Sequence, residues 1–293
     1  MSSYKRTFWK NSPETEITAE KLNNMEEGIE KLYNNISNPN LLINGDFRNP
    51  INQSEVTTYK DKGTPVYTID MWRIAGGAGR TVTVNDGYIS LYNNSTTYDG
   101  YWVQPLEFTL PEDDYTVTVN VKHIDSTARV HFGGQLFDLV EGINVFTVHA
   151  EITDVTIAFG LNGTTELYWI KLEQGTVSTP LVPRQYAEEL MLCQRYYYRY
   201  KVCDNVAYVG GTGIVYIAIP QLLNMRKARS IIPTFGSITL VSEGTTIQLA
   251  VNRIMLAYDC EVAIDCNITE SKYKAVGIEI PEGYHIVIDG RIY

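Results

Sequence analysis

The sequence predicts a mainly β protein interrupted by two short helices, and three observations carry that reading. Apolar and polar residues alternate with period two from Asn40 to Glu173 and again beyond Val206. Turn dipeptides such as Asn162-Gly163, Glu141-Gly142 and Asp289-Gly290 punctuate both stretches. Helical spacing is confined to the segments before Asn38 and after Pro183. The predicted organisation is a coiled-coil-like N-terminal helix in residues 1–39, an antiparallel sandwich in 40–183, and a linker helix with a second C-terminal β-sandwich tip in 184–293.

In the first segment Thr18 can cap a helix whose first turn Ile17 and Leu22 staple, and Asn38-Pro39 stops it near Ser37. Leu22, Met25, Ile29, Leu32 and Ile36 are spaced three, four, three and four, the seam of a coiled coil, which predicts oligomerisation. The competing reading is an amphipathic helix lying on its own domain. Gly28 and the asparagines at 23, 24, 34 and 35 weaken the helix in isolation.

Strands are predicted at Thr81–Val84, Tyr115–Val121, Asn144–Val148 and Tyr168–Leu172, with Trp72 in the core. Short strands with frequent turns imply an antiparallel sandwich. Between Leu91 and Trp102 lies a polar, aromatic loop. Sugars stack their C–H faces on aromatic rings while amides and carboxylates satisfy their hydroxyls, so Tyr92, Asn94, Tyr98, Asp99, Tyr101 and Trp102 have the chemistry of a glycan site. Ordinary hairpin composition is the plainer explanation.

Past the proline-rich linker, Tyr186, Leu190, Cys193, Tyr197 and Tyr200 step four, three, four, three, predicting a helix over 186–200 that either forms a second seam or packs on a sheet. Arg195, Tyr196, Tyr198 and Arg199 would then form an interface-like surface. The strands that follow, among them Ile214–Ile219, Ser237–Val241, Thr246–Val251, Arg253–Ala257 and Glu261–Ile264, predict the second β unit. Its candidate sugar platforms are Tyr208, Tyr216, Tyr258, Tyr273 and Tyr284.

Composition narrows the function. The net charge of −10 and a pI near 5.0 argue against nucleic acid, whose binders concentrate Lys and Arg on one face. The N-terminal residues lack an apolar run, so neither a secretory signal nor membrane insertion is expected. Cys193, Cys203, Cys260 and Cys266 lack metal-site spacing and read as buried thiols. Glu112-Asp113-Asp114 reads as a solvated turn, and His123, His131, His149 and His285 fall on different strands without a nucleophile signature. Gly76-Gly77-Ala78-Gly79 lies between strands rather than opening a helix. A non-enzymatic protein without a cofactor is the expectation.

Lys171-Leu172-Glu173, Gly175, Thr179-Pro180, Pro183-Arg184 and Glu189 to Tyr197 together resemble a recurring segment of bacteriophage tail fibre and receptor-binding proteins. The run from Ile17 to Ile29 resembles N-terminal segments that attach such proteins to tail or baseplate, and Met225-Arg226 with Pro233-Thr234 partly resembles a segment of their tips. Asn40–Phe47 and Tyr168–Glu173 resemble the first and last strands of jelly-roll carbohydrate-binding modules, and Asp70-Met71-Trp72 resembles a step in the phage version. The resemblance implies that those two strands pair, and it raises a weak possibility of calcium at Asn44 and Asp46. It further implies a homotrimeric virion fibre made in the host cytoplasm, attached to other tail or baseplate proteins and recognising host surface glycan through its tip. A structural connector of tail, collar or head is the alternative it leaves open, and a free-standing binding module or depolymerase a third.

Overall fold

Period-two alternation pairs as antiparallel ladders throughout the computed structural model. It describes residues 18–35 and 37–200 and, beyond them, the segments 205–209, 214–218, 230–232, 237–242, 245–258, 261–266, 276–279 and 286–289. Ile17, Ile36, Cys203, Cys260, Tyr273, Tyr284 and His285 lie outside the described residues, as do the side chains of Leu32, Tyr208 and Tyr258.

Ten strands form the sandwich: β1 Thr58–Lys60, β2 Val66–Tyr67, β3 Arg73–Ala75, β4 Arg80–Asn85, β5 Tyr88–Asn93, β6 Gly100–Ile124, β7 Ala128–Phe132, β8 Gln135–Asp138, β9 Gly142–Phe159 and β10 Gly163–Gln174. β6 and β9 are long enough to serve both layers. Their outer halves pair Tyr115–Val121 with Gly142–Val148, and continue through β10, β5, β4 and β1. Their inner halves pair Gly100–Pro105 with Asp154–Phe159, flanked by β3 and β2 on one side and β7 and β8 on the other. Between the halves the register slips at Pro105, Leu110 and Asp113. Pro105 and Pro111 cannot donate to the ladder, and bulges bend a strand, so this irregular stretch carries β6 from one layer to the other. Glu112-Asp113-Asp114, expected in a turn, lies inside that bent strand because Asp113 and Asp114 find partners in Ala150 and His149.

One apolar cluster joins the layers, with Val82, Leu91, Val119 and Leu172 from one and Ile74, Val130, Ile157 and Phe159 from the other. At its centre Trp72 stacks on Trp102 at 4.4 Å and Phe47 meets Trp72 edge-on at 5.4 Å. Both indoles are satisfied: Trp72 Nε1 donates to the Asn44 carbonyl at 2.9 Å and Trp102 Nε1 to Thr68 Oγ1 at 3.0 Å.

The segment from Leu41 to Phe47 runs beside β10, as expected of first and last strands. Leu41 N donates to Leu172 O at 2.8 Å, Ile170 N to Gly45 O at 2.8 Å and Phe47 N to Tyr168 O at 2.9 Å. A Cβ at Gly45 would stand 2.6 Å from the Ile170 carbonyl, so this close approach admits glycine alone.

Helix α1 spans Ala19–Asn35, and Thr18 caps it through Lys21 N to Thr18 Oγ1 at 3.3 Å. Leu22 and Ile29 of the expected seam are exposed and Met25 is half-buried. The linker helix is shorter than its spacing predicts. α2 covers Tyr186–Gln194, and Tyr197–Tyr200 form strand β11 because a run of tyrosines suits a pleated, paired backbone better than a last helical turn. Tyr196 and Tyr198, expected on an interface-like surface, are buried.

β11 pairs with β19 Ile286–Asp289, which also pairs with β14 Ser230–Ile232. The remaining strands are β12 Asn205–Val209, β13 Ile214–Ala218, β15 Ser237–Ser242, β16 Thr245–Tyr258, β17 Glu261–Cys266 and β18 Val276–Glu279. They close into a barrel in the order β12-β13-β17-β16-β15-β18, with Val215, Ile217, Val262 and Ile264 buried. The strands expected at Thr246–Val251 and Arg253–Ala257 are one continuous strand, bulged between Val251 and Arg253.

Candidate functional site

The inner halves of β6 and β9, with β3, β7 and β8, present one face to the core and the other outward. Register fixes who meets whom on the outward face. One row runs Arg73, Val103, Thr156, His131, Leu136, and the next runs Ala75, Tyr101, Ala158, Arg129, Asp138. Val103, Thr156, Ala75 and Ala158 are small and form a floor. Arg73 and Tyr101 rise on one side, and Arg129, His131 and Leu136 on the other. The resulting groove encloses about 640 Å³ and is open to solvent along its length.

Its polar groups are held in place. Arg129 Nη2 donates to Asp99 Oδ2 at 2.5 Å across the groove. The loop before Asp99 is pinned from beneath, because the buried Arg80 donates to the carbonyls of Tyr98 and Asp99 at 2.8 and 3.1 Å and Asn93 Nδ2 reaches Tyr98 O at 3.0 Å. Gly76, at φ 114°, lies under Tyr101; a Cβ there would meet Asp99 O at 2.9 Å. Asp154 accepts hydroxyls from Thr153 at 3.1 Å and Thr156 at 3.0 Å. Tyr101 is 42% exposed, with an accessible ring beside these groups.

The sequence candidates divide accordingly. Asp99 and Tyr101 line the groove, and Tyr98 is exposed in the pinned loop beside them. Trp102 does not belong to any site: it is fully buried, because alternation along β6 turns it inward as Tyr101 turns outward. Tyr92 is exposed on the outward face of the other layer. Asn94 folds over Gly79, to whose carbonyl its N–H donates at 3.2 Å. Tyr216 is half-buried on β13, opposite Tyr208 and Ala263 in register. Arg73, Arg129, His131, Asp154 and Thr156 escaped sequence reasoning. Each alternates with a core residue on its own strand, but the sequence carries no sign of the register that gathers them.

Calcium at Asn44 and Asp46 does not fit. Asn44 Oδ1 accepts from Ile51 N at 2.7 Å while its Nδ2 holds the Ile51 and Asp70 carbonyls, and Asp46 is clamped by Arg48 at 2.7 and 2.9 Å. A guanidinium occupies the position a cation would need.

The motif from Lys171 to Tyr197 is a joint. Lys171 Nζ is buried with Glu173 at 3.1 Å, Thr179 Oγ1 at 2.6 Å and the Thr179 carbonyl at 3.0 Å, and Glu173 accepts from Thr179 N at 2.9 Å. Arg184 donates to the carbonyls of Asn40 and Leu42 and to Glu189. Glu189 in turn accepts from Asn44 N at 2.5 Å. Arg195 and Tyr196 converge on Glu107, and Arg199 donates to the carbonyls of Gln53 and Ser54. Burial and the Glu107 carboxylate push the Tyr196 phenol up to about 12, so it stays a donor. Burial holds the Cys193 thiol well above its ordinary range and pushes Cys266 up to about 11.

No protein-family profile matches the chain, and no curated protein matches it. Among solved structures it is similar to a family 29 carbohydrate-binding module mutant complexed with mannohexaose, at 6% identity and a TM-score of 0.27, covering 40% of this chain and 90% of that one. A second family 29 module, from Piromyces equi, aligns at 9% identity and TM-score 0.25 over the same shares. A Paenibacillus cycloisomaltooligosaccharide glucanotransferase aligns at 10% identity and TM-score 0.22, over 80% of this chain and 47% of that one. At such scores these likenesses carry no argument about the ligand.

Proposed function

We propose that the chain is a non-enzymatic glycan-recognition protein whose site is the groove on the outward face of the sandwich. The observation that carries this reading is the pairing of an accessible ring, Tyr101, with fixed hydrogen-bonding groups at Asp99, Arg129 and Asp154, and with His131 in the same lining, over a floor of small residues. Rings bind the apolar face of a sugar, and oriented polar groups bind its edge. The motifs in residues 171–197 and 17–29 support placing it on a phage or tail-like particle, as a homotrimeric fibre that contacts other tail proteins through its N-terminus and host glycan through weak, repeated sites. The groove takes the place of the C-terminal tip as the leading receptor site. A glycan microarray probed with the native chain and with Tyr101→Ala tests it: selective binding lost in the variant, with unchanged melting, supports the reading, and equal binding by both overturns it.

A structural connector that binds other particle proteins alone is the second reading, favoured by the exposed Leu22 and Ile29 on α1. It predicts no glycan on the array. Light scattering of the full chain and of a version beginning at Asn40 separates self-assembly through α1 from assembly through the β units.

A further inference from the structure

We infer that the groove is built for an acidic saccharide, one bearing a carboxylate or phosphate oxygen, and that Arg73 is the residue that takes the anionic group. The inference rests on the reading of the groove as a glycan site and adds the charge class of the sugar. The charged groups around the floor are not equivalent. Arg129 is matched by Asp99 at 2.5 Å. Asp154 has a threonine hydroxyl on each oxygen. Arg73 stands on the same face, yet its Nε is buried with no acceptor among the described residues.

A buried guanidinium donor without an acceptor is costly, and its fork matches the paired oxygens of a carboxylate or phosphate. Placement completes the argument. Arg73 is opposite Val103, so Tyr101 is its diagonal neighbour, roughly 7–8 Å away between Cα atoms and within reach of both long side chains. A pyranose stacked on Tyr101 would therefore direct an acidic substituent onto Arg73. His131, in the same row beyond Val103 and Thr156, lies about 14 Å from Arg73 at three strand spacings and offers a donor to a second residue of the chain. A neutral sugar could offer Arg73 only hydroxyl or ether oxygens, weaker acceptors for a guanidinium than a charged oxygen pair.

Calorimetric titration of the full-length protein tests this with four probes: a galacturonic acid oligomer, the same oligomer after carboxyl reduction, a phosphodiester-linked hexose oligomer, and that backbone without phosphate. One acidic probe should bind at least tenfold more tightly than its neutral counterpart, and which one does so identifies the source of the anion. Arg73→Gln should abolish that preference, and Arg73→Lys should retain part of it. Neutral and acidic probes binding equally, in a manner lost in Tyr101→Ala, would overturn the acidic specificity and leave the groove reading standing. Binding of no probe, or binding indifferent to Tyr101, would overturn both. Should Arg73→Gln fail to fold, the ratio between paired probes on the native chain still decides.

Discussion

Lys171 and Arg73 are cations of one sandwich with opposite fates. Lys171 is sealed beneath the linker with Glu173 and Thr179, whereas Arg73 lines an open groove and its buried Nε has no acceptor among the described residues. The first arrangement closes on itself over a few residues of sequence, so it can be spelled as a motif and does one thing, fastening Thr179 and Pro180 to β10. The second is assembled from β3, β6, β7 and β9 and leaves capacity for something from outside. A motif that can be read in a sequence need not mark a ligand site.

The comparison can be broken most forcefully at the joint. Lys171→Ala leaves Glu173 charged and buried without its cation, and should cost about 3–5 kcal/mol of stability in denaturant unfolding. Replacing both, Lys171→Met with Glu173→Gln, should cost less than the single change; the reverse order would deny that the pair acts as a unit. Arg184→Ala, which strands the carbonyls of Asn40 and Leu42, should cost roughly 1–3 kcal/mol by the same measurement.

At the groove the effect moves from stability to binding. Tyr101→Ala should stay within about 0.5 kcal/mol of the parent in unfolding. The same variant should bind glycan about tenfold more weakly, a ring contact being worth roughly 1.4 kcal/mol. Loss of folding instead would return Tyr101 to the core.

Two smaller effects sharpen the boundary between sealed and open. Cys193 and Cys266, buried and with raised thiol values, should resist alkylation in the folded protein at neutral pH and react after unfolding, as followed by mass spectrometry. His149 is exposed, and its bond to Asp114 at 2.9 Å raises its value above that of an ordinary imidazole. A group raised on folding stabilises below its unfolded value and loses that contribution as pH rises through the folded one. Melting should therefore drop slightly across the window above the ordinary imidazole value, and His149→Gln should flatten that step.

Much of the fold was legible because period two is local: Thr81–Val84, Tyr115–Val121 and the pairing of Leu41–Phe47 with β10 follow from alternation and end-strand resemblance. What was not legible depended on distant partners. β6 continues through Pro105 and Pro111, which have no N–H to give a ladder, because β9 pairs with it on either side of the irregular stretch. Tyr197–Tyr200 forms a strand because β19, nearly ninety residues away, pairs with it. Tyr101 and Asp99 were recognisable as sugar chemistry, and Trp102 misled because its ring alone does not say which face it takes. Arg73 and His131 gave no local sign at all.

Hydrogen exchange with mass spectrometry, comparing the free chain with the chain holding the tightest glycan from the array, tests the central claim most directly. The groove account predicts slowed exchange in peptides covering 73–75, 101–103, 129–131 and 154–158, with residues 168–199 unchanged. Slowed exchange confined to the barrel strands after Asn205, with the groove peptides unaffected, would contradict it.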